Sequence, residues 1–153
     1  MGEGLFAPNA TLDRATLATV LYREAGESAA KGTASFTDIA EGQWYTDAVN
    51  WAAEQGVVNG YPDGTFRPEA PITRQEMAVM IKRYADYKGI ELPQTNEAIT
   101  FADDGKIASW EKVEVTDMQQ AGIISGRPGN LFDPEGNATR GEAAKMISIL
   151  LDL

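Results

Sequence analysis

Residues 64–76 read GTFRPEAPITRQE, and two other stretches of the chain follow the same pattern. Residues 4–16 read GLFAPNATLDRAT, and residues 130–142 read NLFDPEGNATRGE. Each stretch contains Phe-x-Pro and then, six residues after the proline, an arginine: Arg14, Arg74 or Arg140. Self-similarity of this kind indicates a repeat protein, in which each copy forms the same small structural unit.

The second and third copies also share an upstream half. In the second copy, residues 36–38 read FTD and residues 56–64 read GVVNGYPDG. The third copy repeats both elements, as FAD at 101–103 and GIISGRPGN at 122–130. The first copy has no such half, so we expect that the chain begins within a repeat and is a fragment of a longer protein.

Apolar residues within each copy recur at helical spacing. A first helix is predicted from Trp44 to Gln55, ended by Gly56, because glycine suits the left-handed conformation that closes a helix. A second helix is predicted to begin after Thr73. Its apolar face and the two equivalent faces consist of Met77, Met80, Ile81 and Tyr84; Leu17, Val20 and Leu21; and Ala143, Met146, Ile147 and Leu150. Since neither helix of a unit can bury its face alone, we predict a mainly α fold of helix-loop-helix repeats packed about a pseudo-threefold axis.

Two polar segments, residues 27–35 and 88–100, read as linkers. They divide the chain into a partial first repeat at 1–30, a second repeat at 31–92 and a third repeat at 93–153, which together form one module.

The composition excludes several classes of function. The 153 residues include neither cysteine nor histidine, which removes thiol and Cys/His nucleophiles and the usual zinc sites. A formal net charge of -10 disfavours nucleic acid and anionic membranes as partners, and no apolar run approaches the roughly 20 residues of a membrane span. The acidic residues recur at equivalent positions instead of forming one asymmetric cluster, and residues 63–64 and 103–105 do not match an EF-hand loop. We therefore predict a protein that is not an enzyme and uses no cofactor.

The arginine of each copy is the first candidate for ligand binding. Thr73 with Glu76, and Thr139 with Glu142, fit the capping box that starts a helix, and Asp13 takes the capping position in the first copy. The arginine that follows each cap lies in the first turn, where the helix dipole disfavours a cation by ~0.3–1 kcal/mol.

Three such arginines indicate another use. Unpaired first-turn N–H groups beside a guanidinium would form a site for a carboxylate or phosphate. The alternative is an ion pair with a carboxylate of the neighbouring repeat, such as Asp38 or Asp103.

Tryptophan and glycine supply the other candidates. Trp44, Trp51 and Trp110 have faces suited to stacking on sugar rings, but for Trp44 and Trp110 core packing is the favoured interpretation. The third copy has Asp117 where the second has Trp51, so the two sites differ if Trp51 contacts the ligand. Gly60 and Gly126 either let the loop backbone approach a ligand closely or only permit a positive φ angle.

The second copy, from Phe36 to Glu76, resembles one complete S-layer homology motif. The third copy resembles another, and residues 4–26 resemble the second half of a first, although residues 12–16 depart from the motif. The resemblance implies a three-repeat module with one helix of each repeat in a central bundle, and with grooves between repeats that bind secondary cell-wall polymers. It assigns the groove arginine to Arg14, Arg74 and Arg140, the loop glycine to Gly60 and Gly126, and the helix tryptophan to Trp44 and Trp110.

The function that this resemblance implies is non-covalent anchoring of a secreted protein to the bacterial cell wall, at the cell surface or S-layer. The ligand would be an anionic polysaccharide carrying pyruvate ketals on amino sugars. We expect at most two competent grooves, in which Arg14 and Arg74 face the following repeat, while the groove between the third and first copies is missing or completed by another chain. The alternative is a protein–protein assembly module that self-associates through the incomplete first repeat.

Overall fold

The computed structural model describes residues 10–26, 36–58, 60–97, 101–107, 112–124, 129 and 131–152. This part of the chain forms α1 (Arg14–Glu24), α2 (Thr46–Glu54), α3 (Arg74–Lys88), α4 (Lys112–Gln120) and α5 (Arg140–Leu151), with a short 3-10 turn at Asp104–Lys106. Across those ranges no strand forms, and β pairing is limited to three isolated bridges. The predicted mainly α class of helix-loop-helix units is confirmed, while the pseudo-threefold packing stays a prediction.

The second helix of each copy begins where the sequence predicts, and side chains at the cap explain why. Asp13 Oδ1 accepts from the backbone N–H of Thr16 at 2.7 Å, ahead of α1. Thr73 and Thr139 each complete a capping box, with Glu76 ahead of α3 and with Glu142 ahead of α5. These caps satisfy backbone donors that the first turn leaves without a helical partner.

The first helix of the second copy begins two residues later than predicted. The Thr46 hydroxyl donates to the carbonyl of Ala40 at 2.7 Å and accepts from the N–H of Gln43 at 3.0 Å. These bonds hold the chain ahead of α2 in a turn, so Trp44 precedes the helix instead of lying on its buried face. The expectation of a helix tryptophan is therefore wrong for Trp44. At the other end of α2, Gly56 has a φ of 77°, which confirms its predicted role.

The chain divides into two compact units. The first unit is Leu12–Pro71, and the second combines Met1–Thr11 with Ile72–Leu153. Each unit brings the second helix of one copy together with the first helix of the next. The repeat boundaries at residues 30 and 92 stay a prediction, because the units divide the chain at the helix starts.

Each unit has its own apolar core. In the first unit α1 packs on α2, with Leu17, Leu21 and Trp51 all fully buried and the Trp51 ring centroid 5.7 Å from that of Tyr22. In the second unit the predicted faces of α3 and α5 are buried throughout. The one departure is Val20, which was expected on the buried face of α1 but is 37% exposed.

The linker expected at 88–100 begins one residue too early, because Lys88 is the last residue of α3. The N–H of Asn96 donates to the carbonyl of Gln120 at 3.0 Å, and Gln119 Nε2 donates to the carbonyl of Glu97 at 3.0 Å. Residues 90–97 thus lie against the end of α4 without forming a helix. The other expected linker, at 27–35, lies outside the described residues. No helix among those described is both long and apolar enough to cross a membrane.

Candidate ligand-binding site

The first-turn N–H groups of α1 and α3 are bonded to the loop of the following copy. In the first unit, the N–H groups of Arg14 and Ala15 donate to the carbonyls of Ala70 and Pro68, at 3.1 and 2.9 Å. The second unit repeats both bonds, from Arg74 to Gly136 at 2.9 Å and from Gln75 to Pro134 at 3.1 Å. The expectation that these N–H groups await an anion is wrong for both helices, because neighbouring carbonyls already accept from them.

The start of α5 has a similar backbone partner. The N–H of Arg140 donates to the carbonyl of Ala10 at 3.1 Å, and Thr11 forms an isolated bridge with Thr139. The first copy therefore contributes backbone to the start of α5, while the expectation that the groove between the third and first copies is missing or completed by another chain stays a prediction. The Arg140 side chain is partly buried, and its role in ligand binding stays a prediction.

Arg14 is buried between the helix and the loop of the second copy. Its side chain is 5% exposed, and Nε donates to the carbonyl of Phe66 at 2.8 Å. The guanidinium carbon lies 4.7 Å from the ring centroid of Tyr61 and 4.8 Å from that of Phe66, within range of cation–π attraction. As predicted, Arg14 faces the following repeat, and its partners there include a carbonyl and two rings.

Arg74 repeats part of this arrangement with the loop of the third copy. Its Nε donates to the carbonyl of Phe132 at 2.7 Å, and its guanidinium carbon lies 5.3 Å from the Phe132 ring centroid. A terminal nitrogen also forms an ion pair with Glu142 Oε2. The alternative raised from the sequence, an ion pair with a neighbouring copy, is therefore what Arg74 forms, but with Glu142 instead of Asp38 or Asp103.

Asp38 and Asp103 instead hold the loops that receive the arginines. The two Asp38 carboxylate oxygens accept from the N–H groups of Phe66 and Arg67, both at 2.8 Å. Asp103 accepts in the same way from Phe132 at 2.9 Å and from Asp133 at 2.8 Å. Burial alone would raise the pKa of Asp103, but the N–H groups of Phe132 and Asp133, the N–H of Asp103 itself and the charge of Lys106 together hold the pKa below its ordinary value.

This carboxylate clamp accompanies an unusual backbone. Arg67 and Asp133, at equivalent positions, have φ angles of 60° and 59°, and each precedes a proline. Residues other than glycine rarely adopt this left-handed backbone conformation, which costs on the order of 1 kcal/mol or more. The two hydrogen bonds to Asp38 or Asp103 stabilise the strained residue, so each loop presents a fixed side chain at this position.

In the second copy, the side chains of Tyr61, Asp63, Thr65 and Arg67 form a surface that we call the Tyr61–Arg67 surface. The Arg67 guanidinium carbon lies 3.8 Å from the Tyr61 ring centroid, and a terminal nitrogen lies 3.3 Å from Asp63 Oδ2. The Thr65 hydroxyl and N–H donate to Asp63 Oδ1 at 2.6 and 3.0 Å. These bonds from Thr65, with a smaller contribution from Arg67, lower the pKa of Asp63.

Sequence reasoning did not select Tyr61 or Arg67 as site residues. A signal was present, because the third copy replaces them with Arg127 and Asp133 while keeping the surrounding motif. A charge reversal inside a retained motif indicates a position whose side chain the fold leaves open to change.

Two of the three predicted tryptophans are described, and they differ. Trp44 is 62% exposed and lies edge-on to Tyr45, with ring centroids 5.2 Å apart. Core packing, the favoured interpretation, is thus wrong for Trp44, whose face is open to solvent. Trp51 is fully buried, so direct contact between its ring and a ligand is excluded. Trp110 lies outside the described residues.

Gly60 is required by its own loop. Its φ is 73°, and a Cβ placed there would lie 2.3 Å from Phe36 Cε1 and 2.9 Å from the carbonyl oxygen of Thr65. The positive φ and this close approach explain the glycine without a ligand, and close approach of a ligand to Gly60 stays a prediction. Gly126 lies outside the described residues.

Comparison with known proteins identifies two repeats of one family. The S-layer homology domain matches residues 35–78 and 100–144, which together cover more than half of the chain. The chain is 34% identical to an amylopullulanase of Thermoanaerobacterium thermosulfurigenes, in an alignment that covers 99% of the chain. It is 29% identical over 97% of its length to a cellulosome-anchoring protein of Acetivibrio thermocellus, and 30% identical over 74% to an S-layer protein of Bacillus licheniformis.

The chain spans only a small part of these relatives, namely 8% of the amylopullulanase, 34% of the cellulosome-anchoring protein and 12% of the S-layer protein. Relatives named as a cell surface glycoprotein of Acetivibrio thermocellus and as an S-layer protein agree with the predicted localisation at the bacterial cell surface. Three relatives carry enzyme names, an amylopullulanase, an exoglucanase and an endoglucanase, but this chain matches only 8%, 14% and 15% of their lengths. The shared segment is therefore a module common to enzymes and S-layer proteins, which agrees with a non-enzymatic role.

Proposed function

The chain belongs to the S-layer homology domain family, and from that premise we propose that it anchors a secreted protein to the bacterial cell wall. The ligand is an anionic secondary cell-wall polysaccharide, with pyruvyl groups on its amino sugars. Binding involves no catalysis. The printed names of the relatives, one of them a cellulosome-anchoring protein and others S-layer proteins, support this function.

The observation that carries the ligand assignment is the pair of guanidinium groups at the Tyr61 ring. The Arg14 and Arg67 guanidinium carbons lie 4.7 and 3.8 Å from its centroid. Because the chain as a whole carries a net charge of -10, an anionic ligand needs cationic groups that lie close together. Two guanidinium groups meet at this ring, although Asp38 and Asp63 lie at the same loop. Arg14 is buried and fixes the ring, whereas the Arg67 side chain is 49% exposed and is the group that a ligand reaches.

The chemistry of exchange at Arg67 is favourable. Its partner Asp63 is 55% exposed at the side chain, and exposed ion pairs contribute only ~0–1 kcal/mol. A pyruvyl carboxylate can therefore replace Asp63 as the partner of Arg67 at small cost, and it gains a charge-assisted hydrogen bond.

The residues that the resemblance assigns to the groove have different roles in this proposal. Trp44, with its exposed face, stacks on a second sugar unit, and Trp110 does the same in the third copy. Arg74 and Arg140 hold the seams between repeats, Gly60 shapes its loop, and the resemblance assigns Gly126 to the same motif position of the third copy. Together the partial repeat at 1–30 and the repeats at 31–92 and 93–153 form the binding module.

The test is retention on purified cell-wall sacculi. We expect Arg67→Asp, which introduces the residue of the third copy at the same φ, to weaken retention at least tenfold without unfolding the protein. Lys145→Asp makes the same change in charge at an exposed position of α5 and should retain the wild-type affinity. Sacculi stripped of pyruvyl groups should bind both variants and the wild type equally weakly.

Two outcomes would remove the basis of the proposal. Unchanged retention of Arg67→Asp would show that the Tyr61–Arg67 surface does not touch the polymer. Equal losses in Arg67→Asp and Lys145→Asp would show that only net charge matters.

Self-association through the incomplete first repeat is the competing function. Ala10 and Thr11 already contact the start of α5, which weakens the reason for expecting a second chain at that junction. A stable dimer by light scattering, combined with no retention on sacculi, would favour it.

A further inference from the structure

The second unit contains a cleft that the anionic ligand does not explain. It has a volume of about 330 Å³ and lies between the end of α3, residues 90–94 and α4. Three carboxylates, Asp86, Glu91 and Asp117, and the ammonium of Lys82 line it, together with the aliphatic side chains of Ile90 and Leu92.

In the first unit, an aromatic pair occupies the positions that correspond to two residues of this cleft. By the repeat spacing, Lys82 corresponds to Tyr22 and Asp117 to Trp51. In the first unit these two aromatic rings pack with centroids 5.7 Å apart, and Trp51 is fully buried. The second unit therefore has charged side chains and open volume at positions where the first unit has a packed aromatic pair.

The charges of the cleft select against the anionic sugar unit. Lys82 Nζ is bonded to Asp86 Oδ1 at 2.7 Å, so its charge is already compensated. Three carboxylates against one ammonium leave a formal charge of two negative units, which repels a carboxylate and attracts a cation. A metal ion is not the expected cation, because no group of three or more acidic side chains converges on a metal position within the described residues.

The size of the cleft and its aliphatic side chains further restrict the kind of ligand that can bind there. A volume of about 330 Å³ is at the lower end for small-molecule sites, which suits a single sugar ring better than a longer segment. Ile90 and Leu92 offer apolar contacts to ring C–H groups, while Glu91 and Asp117 can each accept from an ammonium.

We propose that this cleft binds one amino-sugar unit whose amine is not acetylated. The choice of a sugar rests on the proposed function, since it assigns a second, cationic unit of the same wall polymer to a site separate from the Tyr61–Arg67 surface. The ammonium pairs with Asp117 and Glu91, and the ring lies on Leu92. A polymer with both anionic and cationic units would then contact the module through two sites of opposite charge.

The experiment is an NMR titration of the whole chain with D-glucosamine. We expect amide shifts confined to residues 90–94 and α4, and at least tenfold weaker binding of N-acetylglucosamine at the same amides. Asp117→Asn should weaken glucosamine binding at least fivefold, while Asp47→Asn, which removes an exposed carboxylate from α2, should leave it unchanged. Lys82→Tyr combined with Asp117→Trp rebuilds the aromatic pair of the first unit, so it should fold and abolish the shifts.

Several results would overturn the inference. These are an absence of shifts at the cleft, equal binding of N-acetylglucosamine, or equal binding of cadaverine, which would identify a lysine-like peptide group as the ligand. Measuring both glucosamine binding and retention on sacculi, for the wild type and for Arg67→Asp, distinguishes failure of this inference from failure of the proposed function. If glucosamine binding is absent while retention on sacculi still depends on Arg67, this inference alone fails; if glucosamine binds but Arg67→Asp is fully retained, the proposed function alone fails.

Discussion

The loops of the second and third copies form the same hydrogen bonds at their backbone, but they carry different side chains at the left-handed position. In each, an aspartate clamps two consecutive N–H groups, a left-handed residue precedes a proline, and an arginine Nε donates to the carbonyl of a phenylalanine. The side chains at the left-handed position have opposite charges, Arg67 and Asp133. Both copies thus keep the same framework through backbone hydrogen bonds, which leaves individual side chains able to change their chemistry.

The largest expected effect comes from breaking the framework at its buried arginine. Arg74→Ala removes the hydrogen bond to the Phe132 carbonyl and leaves Glu142 without its ion-pair partner. Because loss of one partner of a buried pair typically costs several kcal/mol, and Glu142 is 25% exposed, we expect the free energy of unfolding to fall by about 3 kcal/mol. Urea denaturation measures it. Lys145→Ala, on the exposed face of α5, should change stability by less than about 0.5 kcal/mol, and an equal loss in both variants would contradict the framework role.

A glycine of the second copy offers the next test, within one loop. Gly60→Ala must place Cβ 2.3 Å from Phe36 Cε1 and 2.9 Å from the Thr65 carbonyl oxygen, in addition to adopting a φ of 73°. Gly64→Ala also adopts a positive φ, of 85°, but its nearest contact is Thr37 Cγ2 at 3.7 Å. We expect losses of about 2 kcal/mol for Gly60→Ala and about 1 kcal/mol for Gly64→Ala in thermal unfolding. Equal losses would show that φ alone governs both positions.

The sequence predicted the framework where the determinants are local. Capping boxes at Thr73 and Thr139 lie within four residues of the groups that they bind, so their motif is sufficient to locate two helix starts. The partners of Arg14 and Arg74 lie 52 and 58 residues further along the chain and are mainly backbone atoms. A residue pattern does not show which carbonyl a folded loop will present, and for this reason the sequence favours an anion as the partner of those helix starts.

Exposure was the other quantity that pattern alone could not supply. Trp44 and Trp51 both fit helical spacing, and the difference between them depends on where α2 begins, which the bonds of Thr46 to residues 40 and 43 determine. The contrast between Arg67 and Asp133 was visible in the sequence but had no meaning until the clamp explained why this position tolerates either charge.

The clamp of the third copy predicts a dependence on pH. The pKa of Asp103 is lowered in the folded protein, so its contribution to stability is fully present above the unfolded pKa of about 3.9. That contribution is lost as the pH falls from there through the lowered folded pKa. Asp103→Asn keeps one acceptor for two N–H groups, and we expect it to lose about 1.5 kcal/mol near pH 7.

Urea titrations of the wild type and Asp103→Asn at pH 7 and at pH 3 measure this contribution, and the difference between the two proteins should shrink at the lower pH. A difference that stays constant between the two pH values would show that the carboxylate charge is not what the clamp uses.

The smallest expected effect distinguishes framework from surface at Arg67. Arg67→Gly relieves the strain of a φ of 60° but removes the contacts with Tyr61 and Asp63. Relief of the strain should stabilise the protein by about 1 kcal/mol, and loss of the contacts should destabilise it by about the same amount. The free energy of unfolding should therefore stay within about 0.5 kcal/mol of the wild-type value. Arg67→Ala loses the same contacts without relief of strain and should be less stable than Arg67→Gly by about 1 kcal/mol. Both variants should show the same reduced retention on sacculi, because retention depends on the guanidinium and not on the backbone. If Arg67→Gly were instead retained like the wild type, the left-handed position would serve the fold alone, and the charge difference between the two copies would have no consequence for binding.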